Sequence, residues 1–164
     1  MNNDRCSVEN IAFSSLPYEQ LPDFGIYLDQ MLSIVNEALS PVLSEPITSP
    51  MINNYIKHKA LPSAIKKRYY RDHVCKLLII GILKTVFSVQ QIAKLLSIID
   101  QADCLDSAYA RFCSQFETAL NGGLETFVGS DFSAGECSAS DLLCAMARTA
   151  AYRMNAEAAL KKFE

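Results

Sequence analysis

Between Leu77 and Leu83 the chain reads Leu-Leu-Ile-Ile-Gly-Ile-Leu, with no polar side chain in the run. A helix carrying it is apolar nearly all the way round, so no side of it can face water and other segments must enclose it. The run is far too short to cross a bilayer, which leaves the centre of a folded domain as its place. Asp72 is expected to open this helix, which continues to about Val86, and Gly81 lets a neighbour come close to the backbone. With 164 residues, half of them apolar and few of them Gly or Pro, the chain can build one sizeable core, or a small domain with a helical appendage.

The segments available to enclose the central helix are amphipathic. Pro22 and Asp23 introduce a predicted helix from Phe24 to Leu39, with apolar residues at 24, 28, 31, 35 and 38, and Ser40-Pro41 ends it. Ser88, with Gln91 three positions on, has the form of a capping box for a helix whose buried stripe is Val89, Ile92, Leu95, Leu96 and Ile99. A further helix is expected from Asp103 to Leu120, carrying Leu105, Tyr109, Phe112, Phe116 and Leu120 on one face, with Asn121-Gly122-Gly123 as its stop. Residues 124 to 135 read as a short loop or distorted helix. The last helix starts near Ser138, which has Asp141 three positions beyond it, and continues through Met146, Ala150, Met154 and Leu160 toward Phe163. Seven of its residues from 145 to 159 are alanine, which favours helix and lets a second helix approach.

Charge is segregated along the chain. Residues 1 to 50 hold one basic and seven acidic side chains, residues 51 to 96 nine basic and one acidic, and residues 97 to 164 five basic and ten acidic. A basic block between acidic flanks points to a surface for a polyanion. Its first part reads as a short helix: Thr48 or Ser49 can cap it, Pro50 fits the first turn, and Ile52, Tyr55 and Ile56 face inward while Asn53, Asn54 and Lys57 face outward. Pro62 stops that helix, and Lys66-Lys67-Arg68-Tyr69-Tyr70-Arg71 follows as a basic hairpin or wing.

The polar start Met-Asn-Asn-Asp-Arg-Cys has no apolar stretch behind it, so no secretion signal is expected and the setting is expected to be cytoplasmic. Six cysteines, at 6, 75, 104, 113, 137 and 144, form no Cys-x-x-Cys pair; buried small hydrophobes are expected, with a thiol sensor left open. His58 reads as a helix-end residue and His73 as a surface or boundary residue. There is no Gly-rich phosphate loop, nucleophile motif or His-Glu metal box. The expectation is accordingly a protein that is not an enzyme and takes no cofactor or metal.

The stretch from 48 to 96 resembles the MerR-type winged helix-turn-helix. Met51-Ile-Asn-Asn-Tyr-Ile-Lys-His-Lys-Ala-Leu-Pro62 lies where that family has its recognition helix, Arg68-Tyr69-Tyr70 resembles its Arg-x-Tyr wing, and Phe87-Ser88-Val89-Gln90-Gln91-Ile92 with Leu95-Leu96 resembles its last domain helix. Lys59 stands in place of the family's turn glycine. Met-Ile-Asn-Asn-Tyr-Ile-Lys and Leu-Pro-Asp-Phe-Gly-Ile-Tyr-Leu-Asp-Gln are also similar to the YkrK-like bacterial proteins.

The resemblance implies a mainly α fold: a winged helix-turn-helix with a small β wing and a C-terminal helical extension. The division expected is an arm at 1–22, the reader at 23–99 and a helical dimerisation or sensing region at 100–164. The function implied is that of a homodimeric, sequence-specific transcriptional regulator on double-stranded DNA, acting without a membrane. Thr48 and Ser49 would lie at the start of the recognition helix. Asn53 and Asn54 would face base edges, where an amide can both give to and accept from adenine. Lys57, Lys59, Lys66, Lys67, Arg68 and Arg71 would hold phosphates, while Tyr55 and Tyr70 pack the domain with a hydroxyl left over. Six neutralised phosphates give a slope of log affinity against log salt near ~−5. A small molecule among Tyr109, Phe112, Phe116 and Met146 stays open, as does an alternative in which the same scaffold is an adaptor for an acidic protein.

Overall fold

Because water is tolerable on no side of it, the helix bearing the apolar run takes the centre of the molecule. In the computed structural model, which describes residues 11–102, 105–122 and 138–161, this helix, α3, spans Arg71–Leu83. Every residue from His73 to Leu83 is buried. Around it lie α1 (Leu28–Leu39), α4 (Val89–Gln101), α5 (Leu105–Asn121) and α6 (Ala139–Leu160), all four packed on α3. The short α2 (Ser49–Lys57) sits at the periphery and is held by Ile52 and Tyr55. One hydrophobic cluster runs without interruption from Phe13 to Met154.

Close packing around α3 depends on Gly81. A Cβ there would collide with Leu39 Cδ1 and come within 3.0 Å of Ile47 Cδ1. The loop from α1 to α2 is fixed by Asn36, whose Nδ2 donates to the Ile47 carbonyl (2.9 Å) and whose Oδ1 accepts from the Ile47 N–H (2.7 Å). Removing this two-way bond leaves half-buried backbone groups unpaired. Asn36→Ala is therefore expected to lower stability by about 1–3 kcal/mol, read from a urea melt. A midpoint equal to that of the parent protein would show that the loop is held by something else.

α3 and α4 are tied by an ion pair within the core wall. Lys76 Nζ donates to Asp100 Oδ2 at 2.7 Å, and the lysine side chain is 7% exposed against 49% for the aspartate. Losing the partner of a buried ammonium is worse than losing the pair. Asp100→Ala is expected to destabilise by about 2 kcal/mol, reduced from the fully buried case because water reaches the carboxylate, whereas Lys76→Met stays within about 1 kcal/mol of the parent. Equal losses in thermal melts of the two variants would contradict this reading.

Most helix boundaries follow local chemistry. Ser88 and Gln91 exchange hydrogen bonds at the start of α4, and Ser138 and Asp141 do so at the start of α6. The stripe of α4 is buried at Ile92, Leu95, Leu96 and Ile99. α5 and α6 form the most extensive helix pair, with Ala147, Ala150 and Ala151 of α6 fully buried. Asn155 of α6 donates to the carbonyls of Ala119 and Leu120 at the end of α5. Phe112 and Phe116, on the face expected to be buried, stack in parallel within the core, 6.3 Å between centroids. The beginning of the Asp103 helix, the unpatterned stretch 124–135 and the end near Phe163 lie outside the described residues.

Three expectations are corrected. α1 begins at Leu28 instead of Phe24, because Ile26 is extended and bridges to Tyr69 with both backbone hydrogen bonds (2.9 and 2.8 Å), leaving Phe24 exposed. A β wing is not seen, and no strand forms among the described residues. In its place Ile65 and Arg68 close a two-residue turn by an isolated bridge. The arms stay short because Tyr69 pairs with Ile26 instead of extending the hairpin, and Tyr70 is already the cap of α3. His73, expected as a surface or boundary residue, is buried.

Cys75, Cys113 and Cys144 are buried free thiols, and the other three cysteines lie outside the described residues. Burial raises the pKa of all three thiols, Cys113 to about 11, which keeps them protonated and unreactive at neutral pH. No helix among the described residues is long and apolar enough to cross a membrane.

Candidate functional site

The basic segment folds into α2 and the turn after it. Thr48 takes the extended N-cap conformation, and its carbonyl accepts from Ile52 N–H (3.2 Å). Its side chain makes no capping bond, so the backbone alone starts the helix, with Pro50 in the first turn. Thr48 is exposed and Ser49 half-buried. Asn53, Asn54 and Lys57 lie exposed on the outer face, opposite the buried Ile52 and Tyr55. Burial raises the Tyr55 pKa and makes its ring part of the core.

The end of α2 is a Schellman motif. Ala60 N–H reaches back to the Tyr55 carbonyl (2.9 Å) and Lys59 N–H to that of Ile56 (3.0 Å). This places Lys59 at φ 60, a position that ordinarily takes glycine. The next turn repeats the anomaly twice. Ile65 and Arg68 exchange both backbone bonds at 2.9 Å, and the two residues between them, Lys66 and Lys67, have φ of 49 and 64. Two positive φ values in succession are the type I′ pattern, which strongly favours Asn-Gly. Lys59, Lys66 and Lys67 are the non-glycine residues with positive φ among those described, and all three are exposed. Each such residue carries strain of about 1 kcal/mol.

Three other basic side chains, those of Arg68, Arg71 and Lys76, have partners inside the protein. The Arg68 guanidinium lies 3.7 Å over the Tyr27 ring and donates to the Gly25 carbonyl (3.3 Å). Gly25 permits this approach, since a Cβ there would lie 3.0 Å from Arg68 Cβ. Arg71 Nε donates to the Leu21 carbonyl (3.1 Å), with its guanidinium 4.0 Å from Asp23 and 5.3 Å from the Tyr18 ring. Lys76 belongs to the core ion pair. Lys57, Lys59, Lys66 and Lys67 are left exposed within one short stretch, and no acidic residue occurs between Glu45 and Asp72.

Nearby, Tyr18 donates to Asp72 Oδ1 (2.7 Å). Partial burial, and then this bond, push its pKa up to about 12. The unfolded chain therefore loses the phenol proton first. Its stabilising contribution is intact below about pH 10 and is lost as the pH rises toward 12. An alkaline denaturation series should show this loss for the parent protein and a smaller one for Tyr18→Phe.

The turn is also bordered by apolar side chains. Phe24 (66% exposed), Tyr27 (50%), Ile65 (56%) and Tyr70 (37%) are among the large hydrophobic residues left at the surface. Two contributors had no sequence signal. Tyr27 gains its role from Arg68, forty-one positions away, and His73 binds both sides of the turn. His73 Nδ1 accepts from Tyr70 N–H (3.1 Å), and its Nε2 lies 3.2 Å from the Ser63 carbonyl. Among the described residues no cluster of His, Cys, Asp or Glu could hold a metal.

Exposed asparagines and lysines on α2 and on the turns that follow it are thus what the fold presents. Residues 16–112 match the family model described as Domain of unknown function (DUF1836), which covers more than half of the chain, and the protein belongs to that family. This match corrects the resemblance to MerR-type and YkrK-like proteins, since neither family matches. No curated protein and no solved structure matches the chain.

Proposed function

We propose that the protein is a non-enzymatic regulator that binds double-stranded DNA through the outer face of α2 and the Lys66–Lys67 turn. The observation that carries this reading is the left-handed backbone of three exposed lysines. At these positions Gly or Asn would relieve strain, yet this chain has lysine at all three, and strain carried by exposed side chains of one charge points to a ligand of the opposite charge. Phosphates answer the four lysines, and the outer face of α2 offers Asn53 and Asn54 to base edges in the major groove. Two copies joined through their C-terminal helices would set two readers roughly 34 Å apart on a symmetric operator.

Selection of bound fragments from random DNA by the purified protein tests this. Recovery of a shared motif is expected, with Asn53→Ala or Asn54→Ala shifting the preferred bases and Lys57→Ala weakening all sequences alike. No enrichment over input, or three variants indistinguishable from the parent, would end the proposal.

A second reading is favoured by the exposed Phe24, Tyr27, Ile65 and Tyr70 around the same lysines. Such a mixed patch suits an acidic protein with apolar anchors, for which the scaffold would be an adaptor. In that case the lysine variants lose a protein partner in pull-downs, while DNA selection yields no motif.

A further inference from the structure

We infer that His73 is a positioning residue for the lysine turn, joining the chain before the turn to the chain after it through one buried ring. The inference rests on the DNA-binding reading for its affinity consequence, but its structural part is independent.

The imidazole is 5% exposed at the first turn of α3. Its Nδ1 accepts from the backbone N–H of Tyr70, so the proton of the neutral ring resides on Nε2, which donates to the Ser63 carbonyl at 3.2 Å. Ser63 lies two residues before the turn and Tyr70 two residues after it. Both bonds are made by one rigid ring, further fixed edge-on against Tyr69, with 5.4 Å between centroids. The turn itself is closed by the Ile65–Arg68 bridge, the Tyr69–Ile26 pair holds just the arm after it, and the turn carries two strained residues that favour opening. A short hairpin of this kind is marginal in isolation, so a buried tie across its base decides whether Lys66 and Lys67 are presented in one geometry. Arg68 on Tyr27 anchors one arm only. His73 is the residue that holds both.

The test uses His73→Asn, which keeps an acceptor near the place of Nδ1 for Tyr70 N–H and removes the donor to Ser63. Its effect is measured in the full-length parent and in a Lys66→Ala, Lys67→Ala background. Duplex DNA affinity is expected to fall about 5–10-fold in the parent and less than about 2-fold in the background, the non-additivity of groups acting as a unit. Amide exchange at Ile65 and Arg68 should quicken in His73→Asn, with the amides of α4 unchanged. Equal affinity losses in both backgrounds, or unchanged exchange at Ile65 and Arg68, would overturn the inference. If the parent binds no DNA, the function proposed above fails instead, and amide exchange alone decides the role of His73.

Discussion

Replacing Lys66 by Asn and Lys67 by Gly is expected to make the protein more stable and a poorer DNA binder at once. Both residues sit at positive φ in a turn whose two central positions are best filled by Asn-Gly. Relieving that strain should raise the unfolding free energy by about 1–2 kcal/mol in total, measured by urea denaturation. The same change removes two exposed cations. The salt slope should then flatten by about 1.8, with affinity for any duplex falling at least about tenfold at low salt. Most substitutions that weaken binding also loosen the fold or leave it unaltered, so gain and loss together are diagnostic. A destabilised double variant would show that the turn is held by its lysines. Unchanged affinity would show that these charges do not meet the ligand.

The second large effect is expected in the core. Gly81→Val should lower stability by about 3 kcal/mol, because the added methyl groups meet Leu39 and Ile47, which are themselves fully buried. Gly81→Ala is the informative companion. It gains about 1 kcal/mol of helix propensity, which offsets part of its collision with Leu39, so its net loss should be clearly smaller. Thermal melts of the pair, read alongside the parent, check the ordering. A valine variant as stable as the parent would mean that α1 and the Ile47 loop can withdraw from α3 at little cost.

Much of the architecture could be read locally. A seven-residue apolar run required a central helix, and α3 is buried from His73 onward. The Ser88–Gln91 and Ser138–Asp141 pairs marked helix starts because capping involves residues only three apart. The outward face of α2 followed from helical periodicity, which placed Asn53, Asn54 and Lys57 opposite Ile52 and Tyr55.

What could not be read depended on distant partners or on backbone conformation. Ile26 left the helix pattern because Tyr69, forty-three positions on, offers it both backbone bonds. Arg68 and Arg71 read as free cations until Tyr27, Gly25 and Leu21 were brought beside them. Lys76 counted toward the basic block, and only the folded chain shows Asp100 meeting it inside the wall of the core. The left-handed lysines were least accessible of all, since residue type argues against that conformation and only the closed turn imposes it. The same facts revise the electrostatic expectation. With two arginines engaged internally, four lysines remain instead of six cations.

That revision supplies the most direct test of the central claim, that exposed lysines held in strained backbone await a polyphosphate. Affinity of the purified protein for a fluorescent DNA duplex, measured by anisotropy across a range of salt concentrations, should give a slope of about −3.6 per protomer in log affinity against log salt, and about −1.8 for the Lys66→Asn, Lys67→Gly double variant. A flat response, or one that the turn substitutions leave unaltered, would contradict it.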